Sequence, residues 1–246
     1  DFCLSRGLGD VYKRQAPNCR VMGLVRPAGG TEVQYADAYI WAAGFNPNST
    51  QAGFPASISP GADIITNSFK ASVGVPISGI MRECFDYLTT YGRGGKGVVV
   101  FFAACNDDDN FTLQNPWAAY EKTIAVAAST NTDVRAGYSN FGNGIDVCAP
   151  SSDGVGITTC DLLGDRNLAG HMGGGLDYRN NFGGTSSATP LTAGVAALML
   201  SINPDLTWVE VRQILRDTAV QIDAANTDTI GQWVDTDGDG VTDYSQ

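Results

Sequence analysis

Val98-Val99-Val100-Phe101-Phe102-Ala103-Ala104 is an unbroken apolar run of strand length. A strand with one wet face alternates polar and apolar residues; this one does not, so both of its faces must be covered. Strands buried on both sides belong to parallel sheets, whose crossovers lay helices over each face. The chain therefore needs strands beside this run and helices above and below it.

The sequence supplies candidates for both. Cys19 to Val25, Ala62 to Asn67, Thr123 to Ala128 and Ile145 to Ala149 read as short strands. Ala36, Tyr39, Ile40 and Ala43 fall at i, i+3, i+4 and i+7 of one helix, and Ile80, Cys84, Tyr87, Leu88 and Tyr91 form the apolar face of another. A last helix starts at Trp208, where Thr207 and Glu210 make a T-x-x-E capping box and Val211, Ile214 and Leu215 supply the buried face. Strands alternating with helices predict an α/β fold: a doubly wound, mostly parallel sheet with right-handed crossovers and helices on both faces. Asn46 to Pro60 is a loop by composition, and Gly92 to Gly97 a tight turn. A phosphate-binding reading of that turn fails, because no Ser or Thr follows Lys96.

A chain of 246 residues suits one such domain. Its net charge of −11 argues against nucleic acid and anionic membrane as partners. No apolar run approaches the ~20 residues of a spanning helix. Of the six cysteines, Cys3 lies near the N-terminus, and Cys19, Cys84, Cys105, Cys148 and Cys160 are widely spaced without a zinc pattern. A disulfide scaffold is not expected; a single bridge stays open. Asp1 to Gln15 has no initiator Met and no periodicity. It reads as a non-native tail, like translated sequencing-adapter read-through, leaving 16–246 as the domain; an ordinary N-terminal tail is the alternative.

The chemistry gathers around Gly183-Gly184-Thr185-Ser186-Ser187-Ala188-Thr189-Pro190, which opens an apolar segment through Leu200. Proline is tolerated in a helix's first turn, so Ser186 is expected at a helix N-terminus, where free N–H groups favour developing negative charge. A serine there suits acyl transfer; a Gly/Ser loop leading into a core helix is the plainer reading. The stretch lacks the second glycine of a G-x-S-x-G elbow and the lysine of S-x-x-K.

It does resemble the nucleophile motif of the subtilases, the subtilisin- and kexin-like serine peptidases. Ala16-Pro17-Asn18 and the following strand resemble a segment that subtilases carry shortly after their catalytic histidine. The resemblance implies a serine endopeptidase acting on polypeptide, with Ser186 as nucleophile and Asn106, at the end of the long apolar run, as an oxyanion donor beside the Ser186 N–H. Asn106→Ala should then cost ~10²–10³ in turnover, a magnitude that comes from subtilisin itself. The plainer reading of Asn106 is a turn residue ahead of Asp107-Asp108-Asp109. Ser68 and Phe69 match the family's substrate strand, which pairs with extended peptide, although Phe69 and Lys70 depart from the commoner residues; Ser68 as a turn cap is the alternative. Ala104, Cys105, Gly184 and Thr185 complete the implied substrate-binding set. The family usually has glycine where Cys105 stands, so a side chain there could narrow the primary specificity pocket or alter how Asn106 is presented.

The resemblance also requires a general base and an orienting aspartate, both before the Ala16 segment. Neither motif occurs in residues 1–15, and the one histidine, His171, lies in a glycine-rich loop and is expected to be solvated. The expectation is an active parent protein, secreted and monomeric, and an inactive chain of 246 residues. An inactive, peptide-binding relative is the alternative. Near the C-terminus Asp235, Asp237, Asp239 and Asp243 have the spacing of a calcium loop, with a solvated acidic turn as the other reading. Asp107 to Asp109 are a second calcium site or, preferred, a charged loop.

Overall fold

Thr31 caps the first helix among the described residues, α1 (Glu32–Ala42): its hydroxyl accepts the Gln34 N–H, and the Gln34 side chain accepts the Thr31 N–H at 2.9 Å. The computed structural model describes residues 16, 18–24, 29–46, 60–71, 74–110, 114–160, 178–223, 233–234 and 244–245. After α1 come β1 (Ile64–Asn67), α2 (Gly79–Gly95), β2 (Val99–Ala103), β3 (Ile124–Ser129) and β4 (Val147–Pro150). Then follow β5 (Ile157–Cys160), β6 (Tyr178–Phe182), α3 (Thr185–Ile202), α4 (Trp208–Thr218), β7 (Trp233–Val234) and β8 (Tyr244–Ser245).

Strands β1 to β4 form one sheet in chain order, every pair parallel, with Ile64 beside Val99, Phe101 beside Ile124 and Val126 beside Val147. The pleat divides the apolar run between two cores. Val100 and Phe102 pack with Tyr39 and Ala42 of α1, with Met81, Phe85 and Leu88 of α2, and with Trp117. Val99 and Phe101 pack on the other face with Ala188, Ala196 and Leu200 of α3 and with Val211 and Leu215 of α4. This is the doubly wound α/β arrangement that the sequence predicts, and all of β2 is buried.

Four local expectations change. Residues 19–24 form no strand, and Val25 lies outside the described residues. No described strand runs beside them, and an extended segment without a neighbour has no ladder for its backbone groups. On α2 the buried series is Met81, Cys84, Phe85 and Leu88, while Ile80 and Tyr91 are 46% and 44% exposed. The two series share Cys84 and Leu88; the ring of Phe85, 5.7 Å from Phe102 and 6.2 Å from Trp117, settles which one faces the sheet. Ile214 on α4 is likewise partly exposed. Pro190 is the sixth residue of α3, past the first turn, so its missing N–H leaves the Ser186 carbonyl without its helical partner.

The antiparallel pairs β5–β6 and β7–β8 were not expected from the sequence. Helix α3, 18 residues with a hydropathy of 1.3, is long and apolar enough to cross a membrane by composition alone. Here it serves as the helix under the sheet, in contact with all four parallel strands.

Candidate active site

The chain leaves β1 at Ser68 and β2 at Ala104-Cys105-Asn106, and α3 begins at this same carboxyl edge of the sheet. Groups that act on ligands in open parallel sheets gather at this edge. A cleft of about 270 Å³ forms here. It brings together six residues singled out in the sequence: Ser68, Phe69, Cys105, Asn106, Thr185 and Ser186. Lys70 and Asp107 also line it and are joined by an ion pair of 2.6 Å. Two candidates take other places: Ala104 is fully buried in the core behind the cleft, and Gly184 is the N-cap of α3.

Ser186 is the second residue of α3, partly exposed, and lines the cleft. Its carbonyl oxygen, released by Pro190, accepts the Ser68 hydroxyl at 3.0 Å. That contact gives Ser68 a role inside the fold which the substrate-strand reading did not include. Gly184 turns the chain into the helix at φ 78° and ψ 170°, a region open in practice to glycine alone. A Cβ at Gly184 would meet the Asn106 amide nitrogen at 3.1 Å, so glycine also permits this approach.

Asn106 Oδ1 accepts the Thr185 N–H at 2.8 Å and the Thr185 hydroxyl at 2.9 Å. A backbone N–H can only donate, so this bond fixes which end of the carboxamide is oxygen. Asn106 lines the cleft, and Nδ2 is the end of its carboxamide that Thr185 does not engage. Thr185, itself fully buried, accepts the Cys105 N–H at 3.2 Å through the same hydroxyl. One threonine thus holds the turn of the helix start against the end of β2.

Cys105 has φ +79°, a left-handed conformation that side chains rarely adopt. The residue is 7% exposed, and its thiol lies against the Ala103 carbonyl and the Asn115 amide. Burial, the largest influence, pushes this thiol up to about 11 despite the nearby Lys70, so it is neutral at physiological pH. Asn115 was not foreseen. It is fully buried, donating to the Phe69 and Ala103 carbonyls at 3.3 and 3.0 Å and accepting the Ala71 N–H at 3.4 Å. It ties the two walls of the cleft together. The Asn-Pro pair at 115–116 marks a turn in the sequence but not this burial.

Asp107, Asp108 and Asp109 face different partners: Lys70, Arg135 and Gln114 respectively. No group of three or more metal-binding side chains occurs among the described residues. His171 and the acidic candidates Asp235, Asp237, Asp239 and Asp243 lie outside the described residues.

The subtilase family model matches residues 6–243. The chain belongs to the subtilase family. Among curated subtilase relatives, the calcium-dependent protease of Trichormus variabilis is 35% identical over 233 residues, covering 85% of this chain and 32% of that protein. The extracellular protease of Xanthomonas campestris pv. campestris is 35% identical over 212 residues, with 86% and 32% covered. The chain thus spans about a third of the length of these relatives. Among solved structures, a protease of Pseudoalteromonas arctica matches with TM-score 0.57 and 29% identity, over 78% of this chain and 53% of that one. The serine protease of Aeromonas sobria matches with TM-score 0.67 over 86% and 41%; at 23% identity it speaks for the subtilase fold alone.

Proposed function

We propose that this subtilase domain belongs to a secreted, monomeric serine endopeptidase that cleaves polypeptide through an acyl-enzyme. The observation that carries the reading is the meeting of Ser186 and Asn106 on one cleft, beside the Ser68–Lys70 segment. In this reading the Ser186 hydroxyl loses its proton to a general base and attacks the peptide carbonyl. The carbonyl oxygen becomes an anion held by Asn106 Nδ2 and the Ser186 N–H, the amine leaves with the proton, and water then releases the acyl group. The described residues contain no histidine, so the base is supplied from outside them. The names of relatives as serine proteinase and extracellular protease support both the activity and the secretion.

Calcium is part of the proposal. Two relatives are named calcium-dependent proteases. The four carboxylates of Asp235, Asp237, Asp239 and Asp243 are the hard oxygen donors that calcium takes. The β7–β8 pair brings Val234 and Tyr244 together at either end of that segment. Bound there, the ion would supply cross-linking charge.

The test is labelling with a fluorophosphonate probe and hydrolysis of a fluorogenic peptide, comparing the longer protein with its Ser186→Ala variant. Labelling and hydrolysis that vanish together in the variant are expected. Peptide binding with neither would establish the inactive, peptide-binding relative instead.

A further inference from the structure

A chain of hydroxyls, two of them buried, meets the Gly184–Thr185 peptide on the side opposite Asn106. Tyr138 Oη donates to Ser151 Oγ at 2.9 Å, and Ser151 Oγ lies 2.7 Å from the Gly184 carbonyl oxygen. Ser187 Oγ stands 2.7 Å from Ser151 Oγ. Two proton arrangements satisfy the group: Ser151 accepts from Tyr138 and Ser187 and donates to Gly184, or Ser151 donates to Ser187, whose hydroxyl lies 3.1 Å from the Gly184 carbonyl oxygen and donates there. Ser151 and Ser187 are both buried, so the network is held in place by desolvation as well as geometry.

The Gly184 carbonyl and the Thr185 N–H belong to the same rigid peptide unit. Ser151 holds its oxygen, and Asn106 Oδ1 holds its N–H at 2.8 Å. The same carbonyl also accepts the Ser187 N–H at 3.0 Å and the Ser187 hydroxyl at 3.1 Å, so Ser151 is one of three donors that resist rotation of this unit. If the unit turned, its N–H would leave Asn106 Oδ1, and the carboxamide would keep only the Thr185 hydroxyl, at 2.9 Å, of the two donors that orient it. Tyr138 reaches the same place by a second route, because its backbone carbonyl accepts the Asp108 N–H at 3.1 Å, two residues beyond Asn106.

We infer that Ser151, backed by Tyr138, is a positioning residue for Asn106: it clamps the Gly184–Thr185 peptide unit and thereby sets the direction of the Asn106 amide. The inference rests on the reading of Asn106 as oxyanion donor only for its kinetic consequence. The clamp itself is independent of that reading.

The test uses the full chain as Ser151→Ala, Tyr138→Phe and the double variant, followed by amide NMR. In Ser151→Ala the Thr185 backbone amide should exchange about tenfold faster, the scale of one lost hydrogen bond, and the Asn106 side-chain NH₂ signals should move. Tyr138→Phe should do the same more weakly, and the double variant should match Ser151→Ala, because the two act in series. In an active protein kcat should fall about tenfold with KM unchanged, the signature of a transition-state contact. Unmoved Thr185 and Asn106 signals, additive effects, or a raised KM at constant kcat would overturn the clamp. Should Ser151→Ala fail to fold, Tyr138→Phe, at the half-buried outer end, decides alone. A protein that cleaves no peptide defeats the endopeptidase reading and leaves the NMR result standing.

Discussion

The Ser68 hydroxyl donates to the Ser186 carbonyl oxygen at 3.0 Å, at the one place in α3 where Pro190 withholds the helical N–H. A residue 118 positions away replaces the bond that proline removes. Ser68→Ala should therefore destabilise the fold by about 1–2 kcal/mol, the cost of a partly buried carbonyl left unpaired. In a Pro190→Ala background residue 190 donates again, and the same substitution should cost clearly less. Urea unfolding of the four proteins measures the coupling; equal costs in both backgrounds would show that proline is irrelevant to the contact.

Thr185→Val keeps the shape of the side chain and removes a hydroxyl that serves both Cys105 and Asn106. The buried Cys105 N–H then lacks an acceptor, at a cost of about 1–3 kcal/mol. If Asn106 holds the oxyanion, Asn106→Ala should lower kcat ~10²–10³-fold, the subtilisin magnitude, with KM nearly constant. Steady-state kinetics on the active protein separate the two effects from unfolding.

At Cys105 the backbone and the thiol make separate predictions. Relief of the +79° φ, about 1–2 kcal/mol, is offset in Cys105→Gly by glycine's greater unfolded entropy, so thermal unfolding should show near-neutral stability. Cys105→Val, β-branched at positive φ, should cost more than about 2 kcal/mol. The glycine variant should also accept a bulkier side chain next to the scissile bond. A Cys105→Gly variant with unchanged side-chain preference would show that the thiol does not limit the cleft.

The raised thiol has a pH consequence whose sign is fixed. Because the folded thiol holds its proton up to about 11, above the unfolded value, its contribution to stability is complete below the unfolded value and is lost as pH rises toward 11. Alkylation of native Cys105 by iodoacetamide should be slow at pH 8 and should accelerate on unfolding. Mass spectrometry of the peptide containing residue 105 reads both.

Asp146 is 1% exposed, accepting Arg212 Nε at 2.6 Å and the Ala125 N–H at 2.8 Å. Arg212→Met should destabilise by about 3 kcal/mol, because it strands a buried carboxylate at the start of β3. Recovery in Arg212→Met/Asp146→Asn, measured by urea unfolding, would confirm that the stranded charge is the cause.

What could be read in the sequence was what its neighbours decide. The run from Val98 to Ala104 could only be a strand covered twice, and Thr207 with Glu210 marked the start of α4 to the residue. Cys19 to Val25 has strand composition, but a strand also needs a partner, which composition does not supply. The face of α2 was ambiguous because two helical series shared residues, and only the rings of Phe102 and Trp117 break the tie. Within the cleft, Ser186 and Asn106 carried recognisable surroundings. Asn115, Ser151 and Tyr138 did not: Ser151 and Ser187 are 36 positions apart, and nothing local to either records that they meet.

Strand β2 ends in the cleft after giving alternate side chains to two cores. A substitution at 99–103 disturbs one or the other helical layer, because the strand has no idle side on which change could accumulate. Lys70 and Asp107 line the cleft past the strand ends and outside this constraint. On the proposed function, variation in substrate preference at this cleft falls on loop positions past the strand ends, while the strand that carries them is held fixed from both directions.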